Sequence, residues 1–131
     1  MRGNKELLNF IEQNYDDRIS TTVINVYEIM RGRNKKLKEL FEEFIIYPLT
    51  IEAVEIASEI YRRLKSNGKI KSDTDILIAA IVKANNELLV TLDNDFQEIK
   101  DLGGVNINII KWKFIAIIKT ILTNIEILVI S

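Results

Sequence analysis

Acidic side chains are the groups in this sequence best suited to chemistry, because the chain contains no cysteine and no histidine. Thiolate nucleophiles, imidazole bases, disulfides and the usual zinc sites are therefore excluded. Carboxylates at close range raise one another's pKa unless a cation compensates their charge. Mg²⁺ and Mn²⁺ prefer oxygen ligands and can activate a water for attack on phosphorus. The candidate carboxylates are Glu28, Asp75, Asp93 and Asp95.

Alternating helices and strands would bring these acids together. Helical spacing and turn residues predict helices over residues 4–14, 22–32, 34–44, 50–66 and 74–85, and apolar β-type runs predict strands over 17–20, 44–47, 87–91 and 105–111. Thr21 or Thr22 can cap the second helix and Thr50 the fourth. This order predicts an α/β fold with a parallel central sheet flanked by helices in three layers. Ligands then gather beyond the carboxyl ends of the strands.

The apolar positions predict which faces are buried. The strand over 44–47 is expected to be buried, and residues 76–82 make the most apolar helix of the chain. Residues 113–131 carry two conflicting periods, which a helix ending near Asn124 followed by a short strand would satisfy. The expected core of the helix after Thr50 consists of Ile51, Val54, Ala57, Ile60, Tyr61 and Leu64.

Three fragments in this order resemble the PIN domains, and most closely the VapC-type ribonucleases of toxin-antitoxin pairs. The resemblance runs over residues 4–112, which makes 1–112 a PIN-like domain truncated at its amino terminus and 113–131 an apolar extension packed on it. The fragments are Ser20-Thr21-Thr22 leading into Tyr27-Glu28-Ile29, then Ser72-Asp73-Thr74-Asp75-Ile76-Leu77-Ile78-Ala79-Ala80, then Leu89-Val90-Thr91-Leu92-Asp93-Asn94-Asp95-Phe96.

The resemblance implies a ribonuclease that cuts RNA phosphodiesters with Mg²⁺ or Mn²⁺ and is silenced by a cognate antitoxin. Glu28, Asp75 and Asp93 look like the family's metal ligands, and Asp95 would assist or replace Asp93. Such toxins commonly form homodimers. Ser20 and Thr91 look like the family's polar residues near the metal, and Arg31 and Arg33 are candidates for guiding RNA phosphates, with a solvated helix surface as the equal alternative.

The first family strand, with its Asp-Thr-Asn, has no counterpart in the opening Met1-Arg2-Gly3-Asn4. Either the natural protein starts upstream of Met1, or residues 125–130 occupy the vacant central place in the sheet, which would put Ser131 near the place of the lost aspartate. A missing anionic ligand weakens a metal site severely. We therefore predict reduced or absent nuclease activity, the alternative function being a catalytically silent module that binds a protein or RNA.

Simpler roles exist for each acid taken alone. Asp75 could cap its helix, Asp93 and Asp95 could be ordinary turn residues, and Glu28 could pair with Arg31 on a helix face. The basic residues at 62, 63, 65, 69 and 71 precede Asp75 and are more typical of a solvated surface than of an RNA path.

Overall charge and hydropathy add limits. The net charge of -1 gives no global positive field for nucleic acid. The apolar stretches are too short to span a membrane and no signal-peptide pattern opens the chain, so a cytoplasmic protein is expected.

Overall fold

The structure is a computed structural model that describes residues 19–32, 45–91, 93–109 and 127–130. The predicted helices over 4–14, 34–44 and 113–124 lie outside these ranges. The described elements are β1 (Ile19–Thr22), α1 (Val23–Arg31), β2 (Ile45–Tyr47), α2 (Ile51–Ser66), α3 (Asp73–Ala84), β3 (Leu88–Thr91), α4 (Phe96–Gly103), β4 (Ile107–Ile109) and β5 (Ile127–Ile130).

One five-stranded sheet has the order β2-β1-β5-β3-β4. β1 pairs with β2 in parallel, and β3 pairs with β4 in parallel, as the alternation of strands and helices predicts. These parallel pairs flank β5, and helices α1 and α3 both pack against the sheet. The predicted α/β architecture is confirmed.

The central strand β5 runs antiparallel to both of its neighbours. Its position between β1 and β3 agrees with the predicted strand in the central place of the sheet. The strand begins with Ile127 opposite Thr91 and ends with Ile130 opposite Leu88, at the amino end of β3. An apolar run such as Ile-Leu-Val-Ile is compatible with either strand direction. Ser131 itself lies outside the described residues.

Hydroxyl side chains cap the amino ends of three of the described helices: Thr22 caps α1, Thr50 caps α2 and Ser72 caps α3. The Oγ1 of Thr22 accepts the backbone N–H of Asn25 at 3.2 Å, and the Oγ1 of Thr50 accepts that of Ala53 at 3.1 Å. Both caps agree with the sequence prediction. A cap of this kind contributes about 1 kcal/mol to helix stability. These caps fix where α1 and α2 begin, and so which of their faces meet the sheet and its neighbours.

Helix α3 forms the centre of the described core. Residues 78–82 have no exposed surface, and Ala79 and Ala80 let other elements approach closely. α2 packs against both α3 and α4. The predicted apolar helix is therefore confirmed as the most deeply buried of the described helices.

The buried face of α2 is rotated from the predicted one. Ala57, Ile60 and Leu64 are buried as expected, together with Ala53. The prediction was wrong for three flanking residues. A helix in contact with neighbours on one side buries a limited arc, and side chains on its border stay partly in water. The residues left exposed are Ile51 at 75%, Val54 at 39% and Tyr61 at 45%.

Strand β2 was predicted to be buried, and this was wrong. Ile45 and Ile46 are 44% and 42% exposed. Within the described sheet, β2 is the edge strand and pairs only with β1.

No helix of the described part of the chain is long and apolar enough to cross a membrane.

Candidate active site

The carboxyl ends of β1 and β3 lie at the same edge of the sheet. Both strands are antiparallel to β5, which makes them parallel to each other. α1 begins directly after β1, and Asp93 follows shortly after β3. α3 packs against β3 and connects to it through a short turn over 85–87, so its amino end, with Asp75, returns to this edge. We call this edge, with Asp75, Asp93 and Asp95, the acidic edge; Glu28 lies in the second turn of α1, further from it.

Asp93 is held by the residues around it. Its backbone N–H donates to the Oγ1 of Thr91 at 3.0 Å, and its Oδ1 accepts the N–H of Asp95 at 2.9 Å. One carboxylate oxygen of Asp93 thus stabilises the turn, as the simpler interpretation predicts. The residue as a whole is half-buried. The other oxygen is not part of that hydrogen bond. Asp93 can therefore shape the turn and still act as an oxygen donor.

Thr91 and Ser20 have no exposed surface. The resemblance places both residues near the metal site, and contact of either with RNA stays a prediction. Thr91 has a different task, since its hydroxyl fixes the backbone of Asp93. It therefore helps to position the acid at residue 93.

Asp75 is the third residue of α3 and is not its cap. The cap is Ser72, whose Oγ accepts the N–H of Asp75 at 3.3 Å. The carboxylate of Asp75 is half-buried in the first helical turn, while that of Asp73, in the same turn, is exposed. The amino end of a helix favours negative charge. Asp75 is therefore an acid whose side chain is not required for capping.

Glu28 is half-buried on α1 and lies 3.9 Å from the Nη2 of Arg31. The guanidinium of Arg31 also lies 5.5 Å from the centre of the Tyr27 ring. This is the surface pair that the simpler interpretation of Glu28 predicts, and it is worth a few tenths of a kcal/mol. Arg33 lies outside the described residues.

Lys71 joins the loop before α3 to the turn over residues 93–95, which we call the acidic turn. Its Nζ forms an ion pair with Glu98 and lies 3.9 Å from the Oδ1 of Asp95. The hydrogen bond to Glu98 raises the pKa of Lys71 and lowers the pKa of Glu98, against the opposing effect of burial on each. The negative charges of Asp95 and Asp93 raise the pKa of Lys71 further. Sequence reasoning treated Lys71 as a surface charge and missed Glu98, because 27 positions separate them and no motif links them.

The pH dependence of stability should reveal the Lys71–Glu98 pair. Because the Glu98 pKa is below its ordinary 4.5, the pair stabilises the fold above that value and is lost as pH falls through the lowered pKa. The Lys71 pKa lies above 10.5, so its contribution is complete below 10.5 and is lost at higher pH. We expect the melting temperatures of wild type and Lys71→Met to differ at neutral pH and to converge in acid. Glu98→Gln removes the other partner of the same ion pair and should show the same pH dependence. A difference in melting temperature from wild type that persists unchanged at the lowest pH would contradict the assignment.

The donors at the acidic edge suit a hard cation in kind, but the described residues hold no group of three acids arranged to bind one. Mg²⁺ commonly binds through one or two carboxylates, several waters and the phosphates of a substrate. Asp75 and Asp93 supply carboxylate oxygens of this kind. In the chemistry of their donor atoms, these two acids suit such a cation.

Comparison with known proteins agrees with this fold. One similar solved structure is VapBC2 from Rickettsia felis bound to a DNA fragment from their promoter, with a TM-score of 0.68 and 22% sequence identity over 82% of this chain and 84% of that one. VapBC-1 from nontypeable Haemophilus influenzae has a TM-score of 0.67 and 19% identity over 80% of this chain and 84% of that one. VapBC-5 from Mycobacterium tuberculosis has a TM-score of 0.58 and 20% identity over 70% of this chain and 80% of that one. No curated protein matches the sequence significantly. Residues 2–102 match the PIN domain, which is most of the chain, and the chain therefore belongs to the PIN domain family.

Proposed function

We propose that this chain is a divalent-metal-dependent endoribonuclease of the VapC toxin type, which hydrolyses RNA phosphodiester bonds. The observation that carries the proposal is the meeting of the amino end of α3 and the turn after β3 at one edge of the sheet, in a chain of the PIN domain family. Glu28, Asp75 and Asp93 are the proposed metal-binding residues, with Asp95 as an auxiliary acid. A cognate antitoxin is the proposed protein partner, since the similar structures are VapBC proteins. The toxin would act in the cytoplasm, as a homodimer.

A bound Mg²⁺ or Mn²⁺ supplies Lewis acidity toward the phosphate and a more acidic water. The protein would hold the carboxylate oxygens of the proposed metal-binding residues in position. Thr91 holds the backbone of Asp93, and the Oδ1 of Asp93 holds the turn that continues into α4. Asp75 lies in the first turn of α3, where the helix dipole favours a negative charge. These contacts reduce the reorganisation that metal and substrate binding would otherwise require.

Asp75→Asn tests this proposal. The substitution keeps the size of the side chain and the Ser72 cap, but it removes the negative charge. We expect manganese-dependent cleavage of a single-stranded RNA to fall by at least about tenfold, because even groups that only support a metal ligand cost 10- to 100-fold when removed. Calorimetric titration with Mn²⁺ should show weaker binding by the same variant.

Asp73→Asn is the matched control, since Asp73 lies in the same first turn of α3 and is exposed. Its cleavage rate and Mn²⁺ affinity should equal those of wild type. Cleavage that survives in Asp75→Asn, or that fails equally in both variants, would contradict the role proposed for Asp75.

A catalytically silent module that binds a protein or RNA is the second candidate. It is favoured by one observation, that the described residues contain no group of three acids able to hold a metal. Wild-type protein that binds RNA but neither binds Mn²⁺ nor cleaves would support this candidate over the enzyme.

A further inference from the structure

A cavity of about 90 Å³ lies between the end of α2 and the start of α3. Its apolar floor is formed by Leu64 and Ile76, which are 1% and 3% exposed. Its lining residues are Tyr61, Leu64, Lys65, Lys69, Ile70, Lys71 and Ile76. We call it the tyrosine–lysine pocket. The pocket combines an apolar floor, an aromatic wall and ammonium groups, so it suits a ligand that is flat and apolar on one part and anionic on another.

Tyr61 gives the pocket a flat aromatic surface that solvent can reach. The residue is 45% exposed, although it lies on a helix whose neighbouring face is buried. The Nζ of Lys65 lies 5.9 Å from the centre of its ring. An aromatic side chain that is open to solvent and flanked by cations can stack on any nucleobase, because every base has a π-face.

The lysines differ in the charge that they leave for a ligand. Lys71 is paired with Glu98 and close to Asp95, so acids of the protein already compensate its charge. Its side chain is only 15% exposed. Lys65 and Lys69 are exposed and lie at the solvent side of the pocket. The charge available to an anionic ligand is therefore at the rim, while the floor is apolar.

The pocket adjoins the acidic edge. Ile76, in its floor, directly follows Asp75, and Lys71 reaches from its lining to the turn that holds Asp95. A polymer with one unit in the pocket would thus pass close to the proposed metal-binding residues. An acidic peptide would satisfy the lysines but would leave the ring and the apolar floor without a planar partner.

We propose that the tyrosine–lysine pocket is a nucleotide subsite for single-stranded RNA, in which one base stacks on Tyr61 and the neighbouring phosphate is bound by Lys65 and Lys69. This inference rests on the proposed ribonuclease function and specifies where its substrate is held. It assigns substrate binding to residues at the end of α2. None of the candidate metal-binding acids lies on that helix.

Binding of a fluorescently labelled single-stranded RNA, measured by anisotropy in EDTA, tests the subsite without cleavage. Tyr61→Leu keeps an apolar side chain but loses the ring, and we expect at least about fivefold weaker binding. Tyr61→Phe keeps the ring and should bind like wild type. Ile51→Ala, at the exposed far end of α2, is the control for nonspecific effects on this helix, and melting curves should show that every variant is folded.

The salt dependence of binding tests the phosphate contact. Neutralising Lys69 in Lys69→Met should reduce the slope of log K against log salt by about 0.7, the value expected for one phosphate contact in a single strand. Equal binding by Tyr61→Leu and wild type would overturn the subsite, as would competition by polyglutamate as effective as that by unlabelled RNA. Metal-dependent cleavage with no effect of Tyr61→Leu would overturn the subsite alone, whereas a wild-type protein that neither binds nor cleaves RNA would overturn both proposals.

Discussion

Val129→Pro should lower the free energy of unfolding by several kcal/mol. Val129 lies inside the central strand, opposite Ser20 on one side and Leu89 on the other. Proline has no N–H, so whichever neighbour accepts that hydrogen bond loses it. A buried acceptor without a donor costs about 1–3 kcal/mol, and the clash of the proline ring with the ladder adds to this. Small domains have only about 5–15 kcal/mol in total.

Val129→Thr is the matched control for this prediction. Threonine keeps the backbone donor and has a β-branched side chain of similar shape, so its effect on strand pairing should be small. Urea unfolding followed by circular dichroism gives the midpoint and slope for both variants. Equal midpoints for the proline and threonine variants would show that β5 does not pair at the centre of the sheet.

The central position of β5 also connects stability to the acidic edge. Within the described sheet, the β2–β1 pair meets the β3–β4 pair only through β5. The carboxyl ends of β1 and β3 are therefore aligned by a strand that comes from the end of the sequence. RNA cleavage should thus be more sensitive to Val129→Pro than to a substitution of similar cost on the far side of α2.

Local patterns predicted those features that depend on neighbouring residues. The caps at Thr22 and Thr50 follow from hydroxyl side chains placed before amphipathic runs, and each cap involves only four consecutive residues. The buried helix α3 follows from an almost unbroken apolar run. The sequence also predicted a strand at the end of the chain, and β5 is that strand.

Features that depend on tertiary contacts were not predictable in the same way. The direction of β5 is set by hydrogen bonding with β1 and β3, which a short apolar run does not specify. The exposure of Tyr61 depends on how α2 is rotated against α3 and α4, and periodicity alone places this residue at the border of the buried arc.

The acidic edge was predictable only as a set of residues. The order of the fragments identified Asp75 and Asp93 as candidates, but not which contacts they make. The cap at Ser72 and the turn bond of Asp93 to the N–H of Asp95 each depend on backbone geometry that several sequences could adopt. The ion pair of Lys71 with Glu98 needs two segments far apart in the chain to meet, and no local pattern encodes that meeting.

Phe96→Ala should cost about 3–5 kcal/mol of stability, as is typical when a fully buried phenylalanine is truncated. Phe96 has no exposed surface and belongs to the core that α2, α3 and α4 share. Removing its ring leaves a cavity that the surrounding side chains can fill only in part. Lys100→Ala, on the exposed face of the same helix, is the control and should change the unfolding midpoint little.

Phe96 also fixes the acidic turn, so its truncation should reach the site. Its N–H donates to the carbonyl of Asp93 at 3.3 Å, and the N–H of Gln97 donates to that of Asn94 at 3.0 Å. The milder Phe96→Leu should keep the protein folded, but the smaller side chain would no longer fill the core position of the ring. The backbone of residue 96, which donates to the carbonyl of Asp93, would then be held less firmly. We therefore expect Phe96→Leu to weaken Mn²⁺ binding where Lys100→Ala does not. If the two variants bound Mn²⁺ equally well, the core contact of Phe96 would serve stability alone, and the position of Asp93 would depend on Thr91 and the turn itself.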